Sequence, residues 1–270
     1  MCDAIFGDWI HQLDTLSHEY TNNLPYSHVV IHDFFKEDYI QNLIMKFPPL
    51  DNTWYVYDNP LERKYALNKF DGLPEYNHVF QALQTPEFVR LISQITGIAN
   101  LENDPYLHGA GIHSYPSNGK LDMHLDYSIH PITGKERRVN LIIYLNNEWN
   151  ETYNGDLQLW NKDFTGPVKR YYPTFNTAVL FKTNDISYHG LPALIKCPED
   201  MSRKSLAIYY VSDASDHATR RYKAEYRRLP WQPTNTALDE LYNIRKTRII
   251  TKDDLDQIYP NWREDGEGYW

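Results

Sequence analysis

Cysteine is nearly absent: only Cys2 and Cys197 occur in a chain of 270 residues. Two cysteines are too few for a disulfide framework, and neither has the spacing of a structural zinc site. Long apolar runs are missing as well. No stretch reaches the roughly 18 apolar residues that a membrane-spanning helix requires, and the mean hydropathy is -0.64. The segment Met1-Cys-Asp-Ala-Ile-Phe-Gly-Asp-Trp9 carries acidic residues where a secretory signal needs a basic region followed by a long apolar stretch. There is no internal repeat and no low-complexity segment. The net charge of -9 argues against nucleic acid as a general partner. These absences predict a soluble protein in a reducing, cytoplasmic setting, with no membrane attachment.

What is plentiful is aromatic surface, 14% of the residues and seven of them tryptophan. A chain this long can bury a substantial core as one domain spanning 1–270. Its first hundred residues read as a helical and mixed support. Lys36 to Phe47 has apolar residues at helical spacing and is stopped by Pro48-Pro49. Thr85 to Gly97 has a threonine cap, proline in the first turn and glycine just past the end. Residues 101–212 read as a β-rich core, and 213–270 as a helical extension, with helices predicted over 236–248 and 251–258.

The β-rich core carries polar residues in a definite pattern. In Asp122-Met-His-Leu-Asp-Tyr127, His124 and Asp126 are two apart, so on a strand both side chains leave the same face. By itself this pair is weak evidence, because a histidine and an aspartate at a strand end can simply be surface residues. His189 follows the apolar run Thr177-Ala-Val-Leu-Phe-Lys182 and could complete a two-histidine, one-carboxylate face around one metal ion, with positions left open for chemistry. In Ser202 to Ser212, alternation puts Arg203, Ser205, Ala207 and Tyr209 on one face and turns Lys204 away. An inward arginine with a hydroxyl two residues on suits a carboxylate, for which the guanidinium supplies a two-pronged donor. Arg137 to Trp149 is an apolar strand ending in a polar turn, and Gly155 to Trp160 is a short strand after a glycine turn. Short strands with polar residues inward fit a barrel or double-sheet jelly roll.

From about Tyr115 to Ser212 the chain resembles the Fe(II)- and 2-oxoglutarate-dependent dioxygenases, and within them the prolyl 4-hydroxylase-like group. The resemblance lies in Tyr115-Pro-Ser-Asn-Gly119, His124-Leu-Asp126, Arg137 through Trp149, Pro173-Thr-Phe175, His189 and Arg203-Lys-Ser205, in that order. It implies a mainly β fold with flanking helices, a double-stranded β-helix. It implies Fe(II) bound by His124, Asp126 and His189, with 2-oxoglutarate and O2 as co-substrates. Arg203 would pair with the C5 carboxylate of 2-oxoglutarate, helped by Tyr144; Tyr115 would lie near the metal, and Ser205 would add a donor. The reaction implied is hydroxylation of a C–H bond with succinate and CO2 as co-products, most readily on a prolyl residue of a peptide or protein. Related halogenases lack the carboxylate ligand, so Asp126 favours hydroxylation. The same chemistry on a free amino acid, sugar or other small metabolite is the alternative, and a non-catalytic binding module on the same barrel is a third reading.

Two features depart from the group: Gly155-Asp156 stands where relatives often have two glycines, and 14 positions separate His189 from Arg203. The extra residues 192–202 are expected to form a loop at the pocket mouth. Trp54 to Gly72 is either a loop reaching over the site or an ordinary connector. His130, between the metal strand and the next, could approach substrate, whereas His28, His32 and His78 read as packing or surface residues. The basic stretch His217 to Arg228 could touch RNA, a ribosomal protein or an acidic partner; a solvated helix face packed on the barrel is the expectation. Arg263 to Trp270 is expected to be mobile or docked through Trp270.

Overall fold

The computed structural model describes residues 2–265. In chain order its elements are α1 (Cys2–Ile5), α2 (Leu13–Asn22), β1 (His28–Ile31), α3 (Glu37–Met45), β2 (Tyr55–Asp58), β3 (Glu62–Leu67), α4 (Pro74–Leu83) and α5 (Pro86–Thr96). There follow β4 (Glu102–Asn103), β5 (Gly111–Pro116), β6 (Lys120–Leu125), β7 (Glu136–Tyr144), β8 (Leu157–Trp160), β9 (Pro167–Tyr171), β10 (Ala178–Lys182), β11 (His189–Leu191), β12 (Ser202–Ser212) and β13 (Glu225–Tyr226). Helices α6 (Thr236–Arg245), α7 (Lys252–Ile258) and α8 (Trp262–Asp265) close the described chain.

The strands form one curled sheet in the order β1-β10-β7-β12-β5-β3-β6-β11-β8-β9, with β2, β4 and β13 on its branches. Every pairing is antiparallel. This is the expected double-stranded β-helix with flanking helices. The first hundred residues contribute to the sheet as well as flank it: β1 extends it beside β10, and β3 bridges its two halves by pairing with both β5 and β6.

Alternation divides each central strand between two environments. On β7, Val139, Leu141 and Ile143 join the large core shared with the helices, whereas Asn140 turns to the concave side. Helix α5 is built as its sequence predicts. Thr85 Oγ1 accepts a hydrogen bond from the Phe88 amide, Pro86 opens the first turn and Gly97 ends the helix at φ 67°. It buries Phe88, Val89, Ile92 and Ile95 against the sheet. Burying each of these large side chains stabilises the fold by roughly 1.5–3 kcal/mol, which keeps the back of the sheet rigid under the cavity on its front.

The structure answers four further expectations. Trp54 to Gly72 does reach the site, but as the β2/β3 hairpin and not as a loop, with Tyr55, Tyr57, Glu62, Lys64 and Ala66 on the cavity wall. Charges on the buried face erase the usual apolar pattern of a strand. The 192–202 segment lines no part of the cavity. Its Ile195 and Cys197 are buried with Tyr115 and Leu191 beside Trp149, and Ile195 exchanges backbone hydrogen bonds with Asn118 and Gly119. His130 is held by Asp104 at 3.2 Å and accepts from the amides of Ile132 and Thr133, so it organises a turn. The stretch 217–228 forms no helix; it is extended chain ending in β13 beside β6. Of the tail, 266–270 lie outside the described residues.

Candidate active site

His124 on β6 and His189 on β11 are register partners across adjacent strands. Gly190 permits this approach, since a Cβ there would come within 2.8 Å of Leu121 O and 2.9 Å of Asp122 O. The two imidazoles lie 4.4 Å apart between centroids. Each Nδ1 stands against a backbone carbonyl, 2.8 Å from Asp122 O for His124 and 2.9 Å from Ser187 O for His189. A carbonyl only accepts, so each Nδ1 carries the proton and each Nε2 presents a lone pair. The Nε2 atoms point at Asp126, 3.6 Å and 3.3 Å from its carboxylate oxygens. One potential ligand atom from each of the three residues lies within 4.8 Å of the others, an arrangement one small cation can satisfy.

Asp126 is held from three sides. Asn140 Nδ2 donates to Oδ2 at 2.8 Å, Arg137 Nη2 lies 3.1 Å from the same oxygen, and Arg221 Nε donates to the Asp126 backbone carbonyl at 2.6 Å. Burial opposes the negative charge, but Arg137 holds the Asp126 carboxyl well below the usual range. Burial lowers the pKa of His124. Both groups are therefore kept in the protonation state that binds metal. The Tyr226 ring stacks on His124 at 5.1 Å and Phe181 meets His189 edge-on at 4.8 Å, fixing the ring planes.

Arg137 reaches the site through a bulge. Tyr210 pairs with Val139 and Val211 with Arg137, leaving Arg138 without a partner on β12. The extra residue reverses the alternation and turns Arg137 inward, where its guanidinium lies 3.2 Å from the centroid of the Tyr209 ring.

The second cluster lies on β12. Arg203 is 2% exposed, donates from Nε to Gly155 O at 2.8 Å and from Nη2 to Tyr144 Oη at 3.4 Å, and has the Tyr115 and Tyr144 rings at 5.2 and 4.9 Å. Among the described residues it has no carboxylate partner. Gly155, at φ 80°, packs so closely that a Cβ would lie 3.4 Å from Arg203 Cδ and 3.0 Å from Trp149. Its neighbour Asp156 is tied to Arg170 at 2.7 Å and takes no part. A buried arginine whose own anion is missing fits the distal carboxylate of a dicarboxylic co-substrate.

A cavity of about 360 Å³ joins the clusters, lined by His124, Asp126, His189, Arg203, Ser205 and Tyr115 among others. Of the residues expected at the site, Tyr144 alone is off this wall, buried behind Arg203 and reaching it through its hydroxyl. Sequence reasoning missed Arg137, Asn140, Arg221 and Tyr226 around the triad, and Glu62, Lys64 and Arg245 elsewhere on the cavity wall. Asn140 was detectable as a polar residue inside an apolar strand. Tyr226 and Arg221 had no local signal.

A jelly-roll cavity that brings two histidines, one carboxylate and an unpaired buried arginine together is the arrangement of a 2-oxoglutarate-dependent iron oxygenase. Residues 110–211 match the model of the 2OG-Fe(II) oxygenase superfamily. It is 28% identical over 184 residues to the prolyl 3-hydroxylase OGFOD1 of Xenopus laevis, a match covering 64% of this chain and 33% of that protein. The chain thus spans about a third of that relative's length. Among solved structures it is similar to a Pseudomonas putida prolyl-4-hydroxylase, with a TM-score of 0.53 and 16% identity over 74% of this chain and 100% of that one. It is also similar to a Trichoplax adhaerens prolyl hydroxylase in complex with a hypoxia inducible factor peptide, with a TM-score of 0.51 and 17% identity over 78% and 96% of the two chains. These structural likenesses establish the shared fold. Among the described residues no helix is long and apolar enough to cross a membrane.

Proposed function

We propose that the protein hydroxylates a C–H bond, that of a prolyl residue in a peptide or protein first, using Fe(II), 2-oxoglutarate and O2 and releasing succinate and CO2. The observation that carries this reading is the convergence of His124 Nε2, Asp126 and His189 Nε2 beside an arginine that has no anion of its own. His124, Asp126 and His189 hold the metal, and Arg203 takes the C5 carboxylate of 2-oxoglutarate. Ser205 and Tyr115 offer donors from the same wall. When bound, iron and the keto acid would supply the oxidative decarboxylation, with O2 as the source of the inserted oxygen atom; the protein supplies geometry.

Each protein group has a definable task. Asp122 O and Ser187 O fix the tautomers of the histidines, and Arg137 with Asn140 stops rotation of the Asp126 carboxylate. Tyr144 and Gly155 O hold the guanidinium of Arg203 in place before the co-substrate arrives, so little ordering remains to be done on binding. The prolyl preference is supported by the similarity to prolyl hydroxylases. A small carboxylated metabolite is the second reading, favoured by an excess of cations on the β3 wall. A purely binding module would have no need for an intact ligand triad.

The direct test is anaerobic titration of the metal-free protein with Fe(II) and 2-oxoglutarate, following the visible charge-transfer band of the chelated keto acid. The band is expected in the natural protein and absent in Asp126→Ala. Its absence from both would overturn the assignment of the site.

A further inference from the structure

The part of the cavity wall formed by β3, beside the metal strand, holds a second set of charges that iron and 2-oxoglutarate leave unused, Glu62 buried and Lys64 and Arg245 partly buried. Glu62 and Lys64 leave the same face of β3, and Arg245 at the end of α6 reaches Glu62 Oε1 from Nε at 3.1 Å. Lys64 Nζ stands 3.5 Å from Glu62 Oε2, makes no hydrogen bond among the described residues and lies over the Tyr57 ring at 5.0 Å. All three charged residues line the cavity, with Tyr57, Tyr115 and Tyr226 around them. Tyr226 joins this wall to the metal, stacking on His124 while the Arg245 guanidinium sits 5.4 Å from its ring centre.

The charges do not balance. Among the described residues Glu62 is the one carboxylate answering these two cations. Burial works against its charge, yet Lys64 and Arg245 keep its pKa below the ordinary value. Burial likewise works against Lys64, yet Tyr115 and Glu62 raise its pKa, so the ammonium stays charged. The adjacent Lys120 and Asp122 pair with each other at 2.6 Å and contribute no net charge. Asp126 is matched by Arg137, and Arg203 is committed to the co-substrate. Lys223, also on the cavity wall, adds a further cation. Buried cations are normally matched by anions; within the Glu62, Lys64 and Arg245 set alone one positive charge remains unmatched, and Lys64 lines the cavity with N–H donors to offer.

We propose that Lys64 is a specificity-determining residue that receives a carboxylate of the substrate, so that the oxidised C–H bond lies beside an acidic group. That group is either an acidic residue next to the target residue of a peptide or the α-carboxylate of a free amino acid. The inference rests on reading this cavity as the oxygenase site, and it narrows the substrate class within that reading.

The test uses pairs of probes that differ only in the carboxylate. Protein loaded with Zn(II) and 2-oxoglutarate is titrated calorimetrically with acetyl-Pro-Asp-amide against acetyl-Pro-Asn-amide, and with L-proline against L-prolinamide. In at least one pair the carboxylate member is expected to bind about tenfold more tightly or better, the scale of one well-placed charged hydrogen bond. Which pair shows the preference identifies the source of the carboxylate. Lys64→Met should abolish the difference and Lys64→Arg should retain most of it. Equal binding within both pairs, no binding of either carboxylate member, or a preference that persists in Lys64→Met would overturn the proposal. Mass spectrometry of the same probes with the iron-loaded protein reads the reaction separately. A probe that binds through Lys64 but gains no oxygen refutes prolyl hydroxylation of that probe and leaves the carboxylate site standing.

Discussion

The two walls of the cavity hold charge in opposite ways. On the β6, β11 and β12 wall, Arg203 is buried with a carbonyl and a tyrosine hydroxyl for company and no anion, and Asp126 is braced by Arg137 and Asn140. On the β3 wall the charges are packed against one another, with Glu62 between Lys64 and Arg245. The first wall is left incomplete in a way that a metal and a dicarboxylate would complete. The second is nearly closed on itself and short of one negative charge. The comparison teaches that the informative quantity in a buried polar site is the charge left unmatched, and that each unmatched charge describes a ligand.

The largest expected effect breaks the second wall. Glu62→Gln leaves Lys64 and Arg245 as neighbouring, partly buried cations without a carboxylate, and should destabilise the fold by up to about 3–5 kcal/mol, the consequence of removing one partner from a buried ion pair. Urea unfolding at neutral pH measures it; a loss below about 1 kcal/mol would mean that the network is as weak as an exposed pair. Arg203→Leu sharpens the contrast. Since Arg203 has no anion to abandon in the ligand-free protein, its replacement should cost far less stability than Glu62→Gln. It should instead weaken 2-oxoglutarate binding by about 2–5 kcal/mol, as expected for a lost buried charge partner. An unchanged co-substrate affinity in anaerobic titration would remove Arg203 from its role.

A pH effect comes next. His113, on β5 and on the cavity wall, is surrounded by Lys64, Arg203 and Arg137; burial first, and then these cations, push its pKa well below the ordinary 6.5. The folded protein therefore holds His113 neutral while the unfolded chain protonates it. Its contribution is fully present above pH 6.5 and declines as the pH falls below that value, by about 1.4 kcal/mol per pH unit until the folded-state pKa is reached. Comparing denaturation at pH 7, 6 and 5, His113→Gln should show the shallower fall. Parallel slopes would place the protonation elsewhere, with His28 next in line because burial lowers its pKa too.

How much of this was legible in the sequence follows from the length of the pattern each feature needs. His124 with Asp126, and Arg203 with Ser205, declare themselves through strand alternation within a few residues. The jelly roll was readable from a succession of short strands with inward polar residues. Arg137 was hidden by the Arg138 bulge, which breaks the alternation that sequence reading depends on. Glu62 and Lys64 were hidden because a strand with charges on its buried face has no apolar period to detect. Tyr226 was hidden because its position comes from a two-residue pairing with β6, roughly a hundred positions away. What local pattern cannot contain is the sheet order, and the sheet order is what sets β3 between β5 and the metal strand β6.

The smallest expected effect separates two adjacent residues. Arg203 and Lys204 are neighbours on β12, yet alternation sends the first into the cavity and the second toward the helices, where its Nζ lies 4.7 Å from the Phe47 ring centre. Lys204 is half-buried, and that burial lowers its pKa. It faces an aromatic ring and, among the described residues, pairs with no carboxylate, so its charge supports only a cation–π contact worth about 0.5–1 kcal/mol. Lys204→Met keeps most of the apolar stem, and its stability should fall by no more than that amount. Co-substrate affinity should stay within about 0.5 kcal/mol of the natural protein, as for a substitution remote from the ligand. Urea unfolding and anaerobic 2-oxoglutarate titration of Lys204→Met beside Arg203→Leu make the comparison. Equal losses of co-substrate affinity in the two variants would mean that strand alternation does not separate the cavity from the helix side at this point of β12.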